Sequence, residues 1–186
     1  RQAINYAIDR KKILTNFRNG IGSVANKGFI PKGMPGYFED AQYGYSYQPE
    51  KAKKLLAQVG YDKNGNAPAI TIYTPDNYAD IVNFIAKELK EIGIPVVVEV
   101  MQASILKQQM SAGELPMYRA QWIGDYPDAE SYLRLFFQEN EGAINSIEKY
   151  FYNARYNRLY LHSILTTNKK EKLSNGFPIH PHRTYR

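Results

Sequence analysis

The chain has 186 residues, no cysteine and a net charge of +6 at neutral pH, and 44% of its residues are hydrophobic. The absence of cysteine excludes disulfide bonds, thiolate zinc sites and cysteine nucleophiles. No apolar run approaches the roughly 18 residues that a membrane-spanning helix needs, and the apolar fraction suits one globular domain with a real core.

The first 60 residues predict two helices separated by a long loop. Apolar residues recur at helical spacing over 2–18, and Gly20 is a suitable stop. Because this helical pattern opens at residue 1, an arginine, we expect a chain cut from a longer protein and no signal peptide. No period holds over 21–48, which is typical of a functional loop or a connection between lobes. Residues 49–60 predict a short helix with proline in its first turn. Its expected buried face consists of Leu55, Leu56 and Val59.

The middle of the chain predicts a strand, a helix and a strand, over 69–74, 76–93 and 95–101. Because that order demands a crossover connection, the two strands are expected to be parallel. The pattern repeats with a short helix at 103–112 and a third strand at 116–123. The expected buried face of the first of these helices consists of Ile81, Val82, Ile85, Leu89 and Ile92. The predicted fold class is therefore α/β, with a partly parallel sheet flanked by helices.

The last third of the chain predicts two more helices. Asp128 can cap a helix that begins near Ala129, and 153–166 has helical spacing. The expected buried positions are Leu133, Phe136 and Phe137 in the first, and Tyr156, Leu159, Tyr160 and Ile164 in the second. Residues 175–186 have no period, so we expect an irregular tail whose deletion costs little stability.

A candidate site lies at the carboxyl end of the third predicted strand, where ligands bind in open α/β sheets. Asp125 could hold an ammonium group, Trp122 would supply an apolar wall, and Gly124 would let the backbone come close to a ligand. Arg119 could meet a carboxylate with its two-pronged guanidinium. These residues suit a zwitterion such as a short peptide. An internal arginine–aspartate ion pair beside a core tryptophan is the alternative.

An enzyme is not expected. Asp125, Asp128 and Glu130 could be imagined as an acid–base set. Asp128 is better explained as a helix cap, and Glu130 as an acid favoured by the helix dipole. No G-x-S-x-G, H-E-x-x-H or phosphate-binding glycine motif occurs. We therefore predict no catalytic residue.

Metal and nucleic acid are weaker ligand hypotheses. His180 and His182 flank Pro181 in an irregular tail, and two imidazoles rarely make a tight site, so we predict no metal site and no cofactor. The basic residues occur in short runs mixed with apolar positions, as on solvated helix faces. A nucleic-acid- or anion-binding basic α/β domain remains the alternative function.

Five segments, in order and suitably spaced from residue 1 to about 172, carry a family resemblance: RQAINYAIDRKKIL, ANKGFIPKGMPGY, YSYQPEKAKKLLAQVGY, KELKEIGIPVVVEV and WIGDYPDAESYL. Together they resemble the C-terminal lobe of the family 5 extracytoplasmic solute-binding proteins, the oligopeptide-, dipeptide- and nickel-binding receptors of ABC importers. The resemblance implies a two-lobed periplasmic-binding-protein-like (type II) fold that closes on its ligand. Residues 1–174 would form one lobe, with the N-terminal lobe absent and 175–186 as a tail.

The resemblance also implies roles for the candidate residues. Asp125 would hold the α-ammonium of a peptide, which favours peptides over nickel complexes, and Trp122 would line the pocket. Arg119 matches a position that meets the ligand carboxylate in some oligopeptide binders. Gly124 and Tyr126 belong to the same motif. The implied partners are a short peptide and the membrane permease of an importer, with no nucleic acid. The implied protein is a periplasmic or extracytoplasmic monomer, lipid-anchored in its full-length form.

Overall fold

The computed structural model describes residues 1–40, 44–62, 67–137 and 153–165. In chain order the helices within these ranges are α1 Gln2–Ala7, α2 Arg10–Phe17, α3 Pro49–Gln58, α4 Ala79–Glu91, α5 Ala103–Ala112, α6 Glu130–Leu133 and α7 Ala154–Leu165. The strands are β1 Ile70–Thr74 and β2 Val96–Val100, and single 3₁₀ turns occur at Asp76–Tyr78 and Arg134–Phe136.

The chain divides into two compact units. The first unit consists of residues 1–26, 45–110 and 114–120, and it contains both strands. The second unit consists of residues 27–44, 111–113 and the chain from 121 onward, and it contains α6 and α7.

The predicted strand–helix–strand unit is confirmed. Strands β1 and β2 are parallel, with Ile70 opposite Val96 and Thr74 opposite Val100. Helix α4 connects them and belongs to the same core. As predicted, this helix and its end bury Val82, Leu89 and Ile92, while Ile81 and Ile85 are half-buried. The core of the first unit therefore rests on an amphipathic crossover helix.

The predicted third strand is wrong as a strand. Within the described residues its only pairing is an isolated parallel bridge between Tyr118 and Tyr73, on the edge of β1 away from β2. Tyr73 donates its N–H to Met117 and accepts the N–H of Arg119. The next donor on β1 would be residue 75, which is a proline without an N–H, so the ladder cannot continue.

The predicted single helix over 2–18 is also wrong, because it is broken into α1 and α2. Ile8 is extended, and the carboxylate of Asp9 caps α2 by accepting the N–H groups of Lys11 and Lys12, both at 3.1 Å. An aspartate that caps a new helix ends the previous one. The predicted stop is confirmed at the other end, where Gly20 has φ +73°.

Helix α3 begins at Pro49 as predicted, and Gly60 follows it with φ +66°. Leu55 and Leu56 are half-buried against the core. Val59 was expected inside but is 77% exposed, because α3 ends one residue before it and its side chain no longer follows the helical face.

In the second unit, α6 is shorter than predicted and continues as a 3₁₀ turn. Leu133 is buried against Tyr156 and Tyr160 of α7, with Phe136 and Phe137 packed beside them, as expected. Leu159 is half-buried, but Ile164 is 41% exposed near the end of α7, so its predicted burial is wrong. The predicted tail lies outside the described residues. None of the described helices is long and apolar enough to cross a membrane.

Candidate functional site

The second unit holds four of the five candidate residues in a loop that precedes α6. Trp122, Gly124, Asp125 and Tyr126 occupy irregular positions between the Tyr118 bridge and α6. Because this loop has no ladder of its own, its shape depends on hydrogen bonds and packing to α6.

Trp122 is 44% exposed, which contradicts the alternative of a core tryptophan. Its indole Nε1–H donates to the backbone carbonyl of Ser131 at 2.8 Å. An indole with its polar edge satisfied by the protein and part of its ring in solvent can offer an apolar face to a ligand.

Gly124 is in close contact with the ring of Tyr132. A Cβ on Gly124 would lie 2.9 Å from both Cε2 and the hydroxyl oxygen of Tyr132. The glycine is therefore required by steric packing against α6, in addition to any approach of a ligand. Tyr132 is in turn in edge contact with Phe29, with 6.4 Å between ring centroids.

Asp125 is exposed, and its backbone N–H donates to the hydroxyl oxygen of Ser131 at 2.9 Å. Within the described residues, no hydrogen bond or ion pair is made by its carboxylate. An exposed, acceptor-only anion without an internal partner is available to an ammonium group. Tyr126, next in the loop, is 46% exposed.

Arg119, the fifth candidate, belongs to the first unit. Its backbone N–H bonds to Tyr73, and its guanidinium lies over the ring of Tyr78 with 3.2 Å from Cζ to the ring centroid. Stacking on an aromatic ring orients a guanidinium while its N–H donors stay in the plane of the group. The geometry of Arg119 is therefore that of an oriented cation at the end of β1.

The acidic residues of the rival catalytic hypothesis have structural roles. Asp128 accepts the N–H of Glu130 through Oδ1 at 2.8 Å, although the N-cap of α6 is Ala129, one residue later than predicted, and has no side-chain cap. Tyr160 donates its hydroxyl to Oε1 of Glu130 in a short hydrogen bond. The other oxygen of Glu130 is buried without a hydrogen-bond partner among the described residues.

Helix α7 supports α6 from within the second unit. The hydroxyl of Tyr156 donates to the backbone carbonyl of Leu133 at 2.7 Å, and burial raises the pKa of this phenol well above its ordinary value. Tyr160 adds its bond to Glu130 and stacks on Phe137, with 4.6 Å between ring centroids. The helix that positions the candidate loop is thus itself anchored by two buried tyrosines.

Sequence reasoning missed Ser131 and Tyr132, which fix the loop. The only signal was their position in the first turn after Asp128, and neither residue type stands out there. The described residues contain no group of three or more His, Asp or Glu side chains able to hold a metal ion. His180 and His182 lie outside the described residues.

Two curated proteins are similar to this chain in sequence, and one solved structure is similar to it in fold. Heme-binding protein A of Haemophilus influenzae is 32% identical over 178 residues, which cover 92% of this chain and 32% of that protein. The dipeptide-binding protein of Escherichia coli is 29% identical over 142 residues, covering 74% and 26%. The periplasmic binding protein DppA of Helicobacter pylori, solved with the peptide STSA, superposes with a TM-score of 0.84 at 25% identity, covering 96% and 35%.

The superposition confirms the predicted α/β fold of the type II periplasmic binding proteins. The chain spans about a third or less of the curated relatives it matches. The family model described as bacterial extracellular solute-binding proteins, family 5 Middle, matches residues 1–143, which is most of the chain. The chain therefore belongs to the family 5 bacterial extracellular solute-binding proteins.

Proposed function

We propose that this chain is the C-terminal lobe of a receptor that captures short peptides for an ABC importer, and that it supplies one half of the peptide site. The observation that carries the proposal is the exposed carboxylate of Asp125, unpartnered within the described residues, in the same loop as the half-exposed ring of Trp122. Such a pair suits a peptide amino terminus, whose ammonium needs an anion and whose adjoining side chain needs an apolar wall.

The identity of the relatives supports peptides as the ligand class. One relative is named for dipeptides, and the superposed Helicobacter pylori protein holds a tetrapeptide. Arg119 is assigned the ligand carboxylate from its place in the motif, three residues before Trp122. Gly124 and Tyr126 are assigned to the same site as neighbours of Asp125. The alternative of a nucleic-acid-binding domain has no support among the relatives.

Heme is a second ligand class, raised by the name of another relative. Heme carries two propionate carboxylates, which the anionic Asp125 would repel rather than attract. The exposed carboxylate therefore favours a ligand with a cationic end. The role is binding rather than catalysis, since Asp128 and Glu130 are engaged in hydrogen bonds to the start of α6 and to α7.

Membership of an extracellular family supports the location that we propose, and the monomeric state, the permease partner and the lipid anchor are further parts of the proposal. The receptor acts outside the cytoplasmic membrane as a monomer, delivers its peptide to a membrane permease, and is lipid-anchored in its full-length form. Two lobes that close on the ligand would remove it from water and strengthen the charge pairing at Asp125.

Calorimetric titration of the full-length receptor with a pool of tripeptides, and with the same pool N-acetylated, tests the proposal. Acetylation removes the ammonium charge and leaves the rest of each peptide intact. We expect binding of the unblocked pool and loss of most of that binding after acetylation. Equal binding of the two pools would remove Asp125 from the site, and binding of heme alone would replace the peptide with another ligand class.

A further inference from the structure

Two parts of one residue hold the candidate loop against α6. The backbone carbonyl of Ser131 accepts the indole N–H of Trp122 at 2.8 Å, and its hydroxyl oxygen accepts the backbone N–H of Asp125 at 2.9 Å. Ser131 is only 3% exposed, so its end of each bond is buried, while Trp122 and Asp125 are exposed.

The position of the Asp125 carboxylate depends on its backbone. No hydrogen bond or ion pair within the described residues holds the carboxylate itself, so the direction of its Cα–Cβ bond is set by the backbone to which Ser131 bonds. Ser131 is fixed in turn, since its N–H donates to the carbonyl of Asp128 at 3.2 Å. Tyr132, the next residue, closes the other side of the loop by packing on Gly124.

We propose that Ser131 is a positioning residue that pre-orients Asp125 and Trp122 for the ligand's amino terminus. This inference rests on the proposed function and assigns a role to a buried residue of α6 that acts through Asp125 and Trp122. A site whose groups are held in place before binding loses less conformational entropy when the ligand arrives. Without the hydroxyl, the backbone at Asp125 has one fewer restraint, and part of the binding free energy is spent on ordering the loop.

The hydroxyl and the carbonyl of Ser131 can be separated by mutation. Ser131→Ala removes the bond to Asp125 but keeps the backbone carbonyl that accepts the Trp122 indole. Ser131→Cys keeps nearly the same volume with a much weaker acceptor, so it repeats the test without a cavity. Ser163 offers a matched control, because its hydroxyl donates to a carbonyl within α7 at 2.7 Å and does not bond to the loop.

The experiment is calorimetric titration of the full-length receptor and its variants with unblocked and N-acetylated tripeptides. We expect Ser131→Ala and Ser131→Cys to weaken binding of the unblocked peptides about fivefold, as the loss of one hydrogen bond does. Binding of the acetylated peptides should stay unchanged, and Ser163→Ala should bind both like the wild type. Added to Asp125→Asn, the serine substitution should cause no further loss, because two residues that act through one contact are not additive.

Two results would overturn the inference: unchanged affinity of both serine variants, or an equal loss for unblocked and acetylated peptides that adds fully to Asp125→Asn. A different result would show that the proposed function itself is wrong. In that case Asp125→Asn alone leaves the affinity of unblocked peptides unchanged, whatever the serine variants do.

Discussion

The ring of Tyr132 lies so close to Gly124 that a Cβ there would be 2.9 Å from Cε2 and from the hydroxyl oxygen. Gly124 has no positive φ to explain its identity. Gly124 is thus required by its packing against Tyr132 of α6, which lies eight positions later in the chain.

Gly124→Ala should force the ring of Tyr132 away from the loop and disturb its contact with Phe29. We expect a loss of about 1–2 kcal/mol in the free energy of unfolding, typical of overpacking, together with weaker peptide binding. Urea unfolding and calorimetric titration of the full-length receptor measure the two effects. In a Tyr132→Leu background the same substitution should cost much less, and an equal cost in both backgrounds would place the strain elsewhere.

Asp125→Asn should separate binding from stability. An amide cannot pair with an ammonium as a carboxylate does, and a hydrogen bond between charged groups contributes about 1.5–3 kcal/mol. We expect affinity for unblocked tripeptides to fall about tenfold or more while the melting temperature stays unchanged, because the carboxylate has no internal partner among the described residues. Asp40→Asn, at another exposed aspartate of the second unit, is the matched control. A variant that melts early yet binds normally would make Asp125 structural.

Glu88 links α4 to the break between α1 and α2. Its Oε2 accepts the backbone N–H of Asp9 at 2.8 Å. Glu88→Ala should leave that N–H unpaired and cost about 1–3 kcal/mol of stability, whereas Glu88→Gln keeps an oxygen acceptor in place. Urea unfolding of both variants compares the two costs, and equal losses would mean that the hydrogen bond contributes nothing.

The same carboxylate should make stability depend on pH. Desolvation by burial raises the pKa of Glu88 above its ordinary value, against the lowering effects of the Asp9 N–H and the Lys12 charge. An acid with a raised pKa binds its proton more tightly in the folded state, so this side chain costs stability at neutral pH and the cost vanishes as the pH falls through the raised pKa. The stability of Glu88→Gln relative to the wild type should therefore increase as the pH is raised from about 4 to about 7. If the difference in unfolding free energy between Glu88→Gln and the wild type is the same at every pH in this range, the raised pKa of Glu88 is contradicted.

Tyr156 should make the second unit sensitive to alkali. Its buried hydroxyl bonds to the carbonyl of Leu133, and burial raises the pKa of the phenol. Above about pH 10 the unfolded chain releases this proton while the folded chain keeps it, so stability falls as the pH rises. Tyr156→Phe should cost about 1 kcal/mol at neutral pH, and its stability should fall less steeply than that of the wild type above pH 10. Tyr126→Phe, at a half-exposed ring, is the control for both measurements.

Much of the fold was predictable because its determinants are local. Periodicity alone located the strands around Ile72 and Val98 and the crossover helix between them, and the parallel pairing followed from connectivity. The candidate loop was predictable from residue types, since the chain's single tryptophan stands three positions before an aspartate and the glycine lies between them. Periodic burial and unusual residue combinations are both visible along the chain without knowledge of any distant contact.

Other features depended on contacts between residues distant in sequence, or on a hydrogen bond that a proline on a neighbouring strand cannot donate. The first helix breaks at Asp9, whose N–H is held by Glu88, 79 residues away. The third strand stops after one bridge because Pro75 on the neighbouring strand has no N–H to donate. Helical spacing in one segment carries no information about either partner.

The sequence by itself determined the α/β class and the crossover unit, because burial periodicity is a local property, and residue chemistry along the chain predicted the candidate site. Only the tertiary structure decided that Ser131 and Tyr132 hold Asp125 and Gly124 in place, and that Tyr156 and Tyr160 support them from α7. Hydrogen bonds and close packing depend on distances and directions within a few tenths of an ångström. Those distances exist only once the chain has folded.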